Sequence, residues 1–263
     1  MPKSQAAPPT GEMPFLDHLE ELRWRLIWSL IAVMLGAVVG FILVTRLDVL
    51  GLLVAPIKPF LHGTKLKYLS PTEPFFITLK LAVSVGLVLA SPIVVYQIWS
   101  FLAPALMPHE KRVIVPSLYL GLVLFGAGVM MSYKIVLPMT LNFTMNFQTE
   151  SLEQNIVIGE YLSFVTRLLL AFGGVFELPV VILILSSMGL VTPEFLASKR
   201  RHAVVIITVL ASVLTPGDVI TLTLMMMVPL VLLYEFSIFL SRLVTRRRRL
   251  RVAEAEAAAA AEA

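Results

Sequence analysis

Few side chains in this sequence are equipped for chemistry, and most of those are carboxylates. Glu21 lies in a charged stretch with Arg23 and Arg25, Glu110 stands between His109 and Lys111, and Glu177 is alone in an apolar run. Spacing by itself gives the first two ordinary roles. An acid four residues ahead of a base on a helix, as Glu21 is to Arg25, makes a surface pair worth about 0.2–0.5 kcal/mol, and Glu110 can serve loop solubility. Glu177 is different, because an acid near the middle of a membrane span is costly unless it is paired, protonated or facing water. Its nearest charge in sequence is Arg167, ten residues and about 15 Å away along a helix, on another face. Two readings of Glu177 stand side by side: it lines a hydrated concave surface or meets a partner helix, or it is a neutral acid hydrogen-bonded inside a bundle.

The remaining inventory argues against catalysis. Cysteine is absent, which removes thiolate chemistry, disulfides and Cys-based metal sites. His18, His62, His109 and His202 are scattered, with no HExxH pair, no phosphate-binding glycine loop and no nucleophile elbow. No enzyme activity, metal or cofactor is expected. Nor is nucleic acid, because the net charge of +4 is modest and its basic residues cluster beside apolar runs.

The elements that must position these side chains are membrane helices. With 58% hydrophobic and 14% charged residues and a mean hydropathy of +0.89, the chain carries more apolar surface than a soluble core of 263 residues buries. A bilayer core of about 30 Å needs roughly 20 apolar residues per helix. Such windows predict an all-α integral membrane protein with spans at about 26–45, 75–102, 113–136, 160–188, 202–215 and 219–240. Residues 1–14 read as a disordered leader, and 15–241 as the six-helix domain. The remainder, 242–263, is a basic and then Ala/Glu-rich tail. Between Phe15 and Leu26 the apolar residues fall on one face, predicting an amphipathic entry helix at the membrane surface. Gly36 and Gly40 form a GxxxG pair, which fits a packing face or a lipid-facing coincidence equally well. Pro56 and the prolines after it stiffen the first external loop, and Pro92 is expected to kink the second span.

Topology follows from the last third. Read as one helix, Ala203 to Tyr234 would extend about 48 Å and place the two flanking basic clusters on opposite sides of the membrane. Pro216, Gly217 and Asp218 instead favour a turn and a short fifth and sixth helix hairpin, with Asp218 as the cap of the sixth helix. The basic residues assigned inside are Lys3, Arg23, Arg25, Lys111, Arg112, Lys199, Arg200, Arg201, Arg242, Arg246 to Arg249 and Arg251, twice the number left over. Both termini are therefore expected in the cytoplasm.

Four stretches, from the first helix to the last hairpin, resemble the TatC family of the twin-arginine protein translocase. They are His18-Leu19-Glu20-Glu21-Leu22-Arg23; Ser70-Pro71-Thr72-Glu73-Pro74-Phe75-Phe76 with Leu79-Lys80-Leu81; Tyr96-Gln97-Ile98-Trp99-Ser100-Phe101 with Pro104-Ala105-Leu106 and His109-Glu110-Lys111-Arg112; and Phe172-Gly173 through Phe176-Glu177-Leu178-Pro179, joined by Leu214-Thr215-Pro216 and Asp218. The resemblance implies a concave bundle in a bacterial or archaeal inner membrane. It further implies a receptor that binds twin-arginine signal peptides of folded precursors, gathers TatA- and TatB-type single-span partners, associates with itself and with lipid, and draws on the proton-motive force. Two adjacent arginines call for two carboxylate sockets, since a guanidinium fork is read by a carboxylate through two parallel hydrogen bonds. On that resemblance Glu21 and Glu110 are the sockets, Arg23 orients the acid or meets lipid phosphate, and Phe101 contributes an apolar rim or the interfacial end of the second helix. Glu177 joins an intramembrane partner site with Thr221 and Thr223, whose hydroxyls flank Leu222 where many family members carry a glutamine. A small-solute secondary transporter is the competing class, although the halves show no repeat of the kind such proteins use. An intramembrane or lipid-handling enzyme would need a polar pair inside the spans, and Glu177 is the one obvious candidate.

Overall fold

A computed structural model describes residues 15–61, 63–102, 111–146, 155–215 and 220–262. Its helices, in chain order, are α1 Phe15–Arg46, α2 Val49–Val54, a 3-10 turn Ala55–Phe60, α3 Glu73–Leu102, α4 Lys111–Met131, a π turn Ser132–Val136, α5 Leu137–Asn146, α6 Ile158–Val175, α7 Leu178–Ser187, α8 Pro193–Ser198, α9 Arg200–Leu214 and α10 Ile220–Glu262. Among the described residues five stretches are long and apolar enough to cross a membrane: Asp17–Arg46, Glu73–Phe101, Pro116–Asn146, Ile158–Ser187 and Ile220–Arg246. The sequence reading asks for a sixth span at 202–215. That segment is α9, whose 15 residues rise about 22 Å, short of a bilayer core of about 30 Å.

Pairwise contacts give the helix directions. In α1 and α3 the neighbours are His18 with Phe101, Arg25 with Gln97, Gly36 with Gly86 and Gly40 with Ala82, an antiparallel series. The α4 helix runs antiparallel to the path of α6 and α7, with Gly121 beside Glu177 and Gly128 beside Phe172. In contrast, α3 and α6 are parallel. They begin together at a bridge between Lys67 and Val157, and Lys80 meets Ser163 further along. Arg200 with Glu235, Thr208 with Met227 and Thr215 with Thr223 make α9 and α10 an antiparallel hairpin.

Local chemistry explains how these helices bend and touch. The amphipathic entry does not lie apart on the membrane surface; it is the first three turns of α1, because no breaker separates Phe15 from Arg46. Gly36 and Gly40 form a packing face: a Cβ on Gly36 would sit 2.5 Å from the Gly86 carbonyl oxygen, and one on Gly40 would overlap the carbonyl of Ala82. Pro92 stands inside α3, where its missing N–H leaves the carbonyl of Val88 without the usual helical donor. The Ser91 hydroxyl donates to that carbonyl at 2.7 Å. The fourth long stretch breaks between α6 and α7, and Pro179 falls in the first turn of α7, where a missing N–H is tolerated. The third runs through the π turn to Asn146, past position 136.

The core centres on Ile57, Leu137, Val165, Leu168 and Phe172, all fully buried. It draws in the short segment that follows α1. Pro56 is the second residue of the 3-10 turn and is half-buried. The hydroxyls of Tyr133 and Tyr161 donate to the carbonyls of Leu52 and Leu53 at 2.7 and 2.8 Å, tying the end of α2 to the bundle.

Candidate functional site

The site is built where the start of α1 meets the end of α3. Glu21 and Arg25 are one helical turn apart on the face of α1 turned toward α3, and both are largely covered, with 19% and 27% of their side chains exposed. Arg25 donates through Nη2 to Glu21 Oε1 at 2.7 Å and through Nε to the same oxygen at 3.3 Å. Its Nη1 reaches across to Gln97 Oε1 at 3.3 Å. Below this pair in the same face, the His18 ring stacks on Phe101, with centroids 4.3 Å apart and planes inclined by 12°.

This bracing is uneven. Glu21 Oε1 is held, whereas Oε2 is shielded and has no hydrogen-bond partner. His18 Nδ1 lies 3.9 Å from that oxygen, beyond hydrogen-bond range. A carboxylate oxygen that is oriented and desolvated but left open accepts strongly from a charged donor. Among the described residues the arrangement thus offers a fixed carboxylate, a guanidinium and a stacked aromatic pair on one face.

Of the residues singled out from sequence, Glu21 and Phe101 come together here. Arg23 points elsewhere and is exposed. Glu110, Pro216 and Asp218 lie outside the described residues. The chain nevertheless leaves α3 at Leu102 and re-enters at Lys111 on the end of the bundle that carries Glu21, because α1 and α3 are antiparallel. His18 and Gln97 belong to the motifs quoted above, but their contact with Phe101 and Arg25 is tertiary. His18, Glu21 and Arg25 fall at steps of three and four, which is the local signal that one face carries all three.

Glu177 forms a separate polar point. It sits at the break between α6 and α7 and borders a lateral recess of about 260 Å³ with Ser91, Pro92, Tyr96 and Tyr119. Gly121 admits it, since a Cβ there would lie 2.7 Å from Glu177 Oε2. Its Oε1 is shielded and has no hydrogen-bond partner, so the alternative of an acid fully satisfied within the bundle is not what the structure shows. Thr221 is exposed and Thr223 half-buried near the start of α10, while Leu222 between them is buried. Thr223 Oγ1 lies 3.5 Å from Thr215 Oγ1. The structure does not bring these threonines to Glu177; they belong to the α9–α10 hairpin. Among the described residues no cluster of three or more His, Cys, Asp or Glu is placed to hold a metal ion.

Comparison with known proteins agrees with this architecture. The family model for Sec-independent protein translocase protein (TatC) matches residues 17–229. The chain is 42% identical to the TatC protein of Aquifex aeolicus over 238 residues, covering 90% of this chain and 98% of that one. It is 39% identical to TatC of Escherichia coli K12 over 232 residues, with 87% and 88% covered. A crystal structure of a twin-arginine translocase receptor, TatC, superposes with a TM-score of 0.77 at 41% identity, covering 87% of this chain and 99% of that one.

Proposed function

The chain belongs to the TatC family of Sec-independent protein translocase proteins, multi-pass proteins of the inner membrane, and from that membership we propose that it is the subunit that reads twin-arginine signal peptides. The observation that carries the proposal is the open Oε2 of Glu21, shielded and held in place while its sister oxygen is tied to Arg25. An incoming guanidinium finds there an oriented acceptor and an aromatic shelf, His18 on Phe101, against which its planar face can stack. Glu110, next to the first residue of α4, is the second socket for the neighbouring arginine. Arg23, exposed on α1, meets lipid phosphate at the same surface.

In this reading both termini face the cytoplasm, α9 and α10 complete six crossings, and the bundle is concave. The short hairpin, through Thr221 and Thr223, and, apart from it, the polar recess at Glu177 receive single-span partners of the TatA and TatB type, and the proton-motive force drives export of folded cargo. Nothing in the fold or the comparisons supports a small-solute transporter.

The test is photo-crosslinking of a twin-arginine precursor to membranes carrying the chain. Crosslinks are expected with the native signal and are lost in the Glu21→Ala/Glu110→Ala variant, which still inserts. They are also lost when both signal arginines are replaced by lysine. Full crosslinking in the double variant would sink the socket assignment.

A further inference from the structure

The end of the bundle opposite Glu21 holds a cleft of about 610 Å³ between the starts of α3 and α6. Four charged side chains line it in a regular order. On α3, Glu73 occupies the first turn and Lys80 lies seven residues further in; on α6, Glu160 occupies the first turn and Arg167 lies seven residues further in. Because α3 and α6 are parallel and begin together, the two acids form an outer layer and the two bases an inner layer. Both helices belong to stretches long enough to span the membrane, beginning at Glu73 and at Ile158. The outer layer therefore lies at the water–lipid boundary and the inner layer two turns deeper, whichever side of the membrane this is.

No ion pair among the described residues joins these four groups. Glu73 Oε2 accepts the Leu69 N–H at 2.6 Å, and its other oxygen lies over Gly159, where a Cβ would collide with it. Lys80 Nζ donates to Ser163 Oγ at 2.6 Å, which leaves two of its three N–H donors uncommitted. That bond also lifts the ammonium to the level of Ser163, about one helical turn, 5.4 Å, below Gly159. Lysine and arginine near a span end lean toward the interface in this way. The cleft so offers cationic donors below and carboxylate acceptors about one turn above them, with Phe76 also on its wall.

We propose that this cleft is a binding site for a phospholipid with a primary-amine headgroup, the phosphate seated between Lys80 and Arg167 and the ammonium between Glu73 and Glu160. The vertical order is that of a phospholipid in a leaflet, with phosphate nearer the acyl chains and amine nearer water. A primary ammonium donates three hydrogen bonds to carboxylates, whereas a quaternary choline nitrogen donates none, and an anionic glycerol headgroup leaves the outer acids facing no cation. The assignment stands apart from the receptor reading, since it uses the opposite end of the bundle.

Native mass spectrometry of the full chain in detergent tests it, with phosphatidylethanolamine, phosphatidylcholine and phosphatidylglycerol of identical acyl chains. Retention of phosphatidylethanolamine is expected to exceed that of phosphatidylcholine about tenfold, the effect of charge-assisted hydrogen bonds made to one lipid and not the other. Lys80→Gln/Arg167→Gln is expected to release both phosphatidylethanolamine and phosphatidylglycerol. Glu73→Gln/Glu160→Gln removes the preference over phosphatidylcholine and spares phosphatidylglycerol. Should either pair fail to fold, the exposed single variant Glu160→Gln carries the test through the same loss of preference. Inorganic phosphate at millimolar concentration does not displace the lipid. Equal retention of phosphatidylethanolamine and phosphatidylcholine, retention unmoved by the substitutions, or displacement by phosphate alone would each overturn the proposal.

Discussion

Arg25 donates to one oxygen of Glu21 at 2.7 Å and to Gln97 at 3.3 Å, so a single guanidinium joins α1 to α3 while the second Glu21 oxygen is left open. The acid is thus anchored through one oxygen and unpartnered at the other. Glu21→Gln removes the charge at nearly constant shape, and the affinity of a twin-arginine peptide is expected to fall about tenfold or more, the scale of one charge-assisted hydrogen bond. Gln97→Ala loosens the brace and should weaken binding by a smaller factor, about threefold. Peptide titration by fluorescence anisotropy in detergent gives both numbers; equal effects of the two changes would mean that Gln97 contacts the peptide directly.

The α1–α3 crossing depends on missing side chains. Gly86→Val drives new atoms into the backbone of Ala37 and Gly36, and overpacking of this kind costs at least about 1–3 kcal/mol. Gly126, whose added Cβ would meet nothing within 4 Å, provides the internal control. Thermal unfolding in detergent is expected to shift down for Gly86→Val and stay put for Gly126→Ala.

Glu177 carries a cost in stability that the partner role proposed for it would explain. Its shielded Oε1 has no partner, and an unsatisfied buried polar atom costs about 1–3 kcal/mol. Glu177→Met, similar in length and apolar, should therefore raise the unfolding temperature while export of a twin-arginine reporter falls. Loss of stability in that variant would show that the acid is satisfied in the membrane by water or a partner.

Membrane orientation is open to fusion reporters. A periplasm-active reporter joined after Asp218 is expected to be active and one joined after Arg251 silent, as the α9–α10 hairpin and the basic clusters at Lys199–Arg201 and Arg246–Arg249 require. Activity after Arg251 would reverse the inside assignment of the C-terminus.

What could be read from the sequence followed distance along the chain. The reversal of the chain between α9 and α10, the apolar windows and the face shared by Glu21 and Arg25 follow from local patterns of breakers and periodicity. Gly36 and Gly40 were visible as a motif but ambiguous, because the groups that need their smallness, Ala82 and Gly86, lie more than forty residues away. Gln97 as a partner of Arg25, and Tyr133 and Tyr161 as donors to α2, are likewise products of packing. The third helix runs past position 136 because a π turn at Ser132–Val136 absorbs an extra residue without ending it, and no composition signal marks such a turn.

The glycine crossing also works as a fulcrum. Glu21 lies fifteen residues from Gly36 along α1, and Gln97 eleven residues from Gly86 along α3, arms of about 22 and 16 Å. Like the blades of scissors, the two helices turn a small change of angle at the pivot into a larger change of gap at the tips. The spacing of the two helix ends that Arg25 ties together is therefore governed by atoms that are absent deep within the crossing, far from the carboxylate itself.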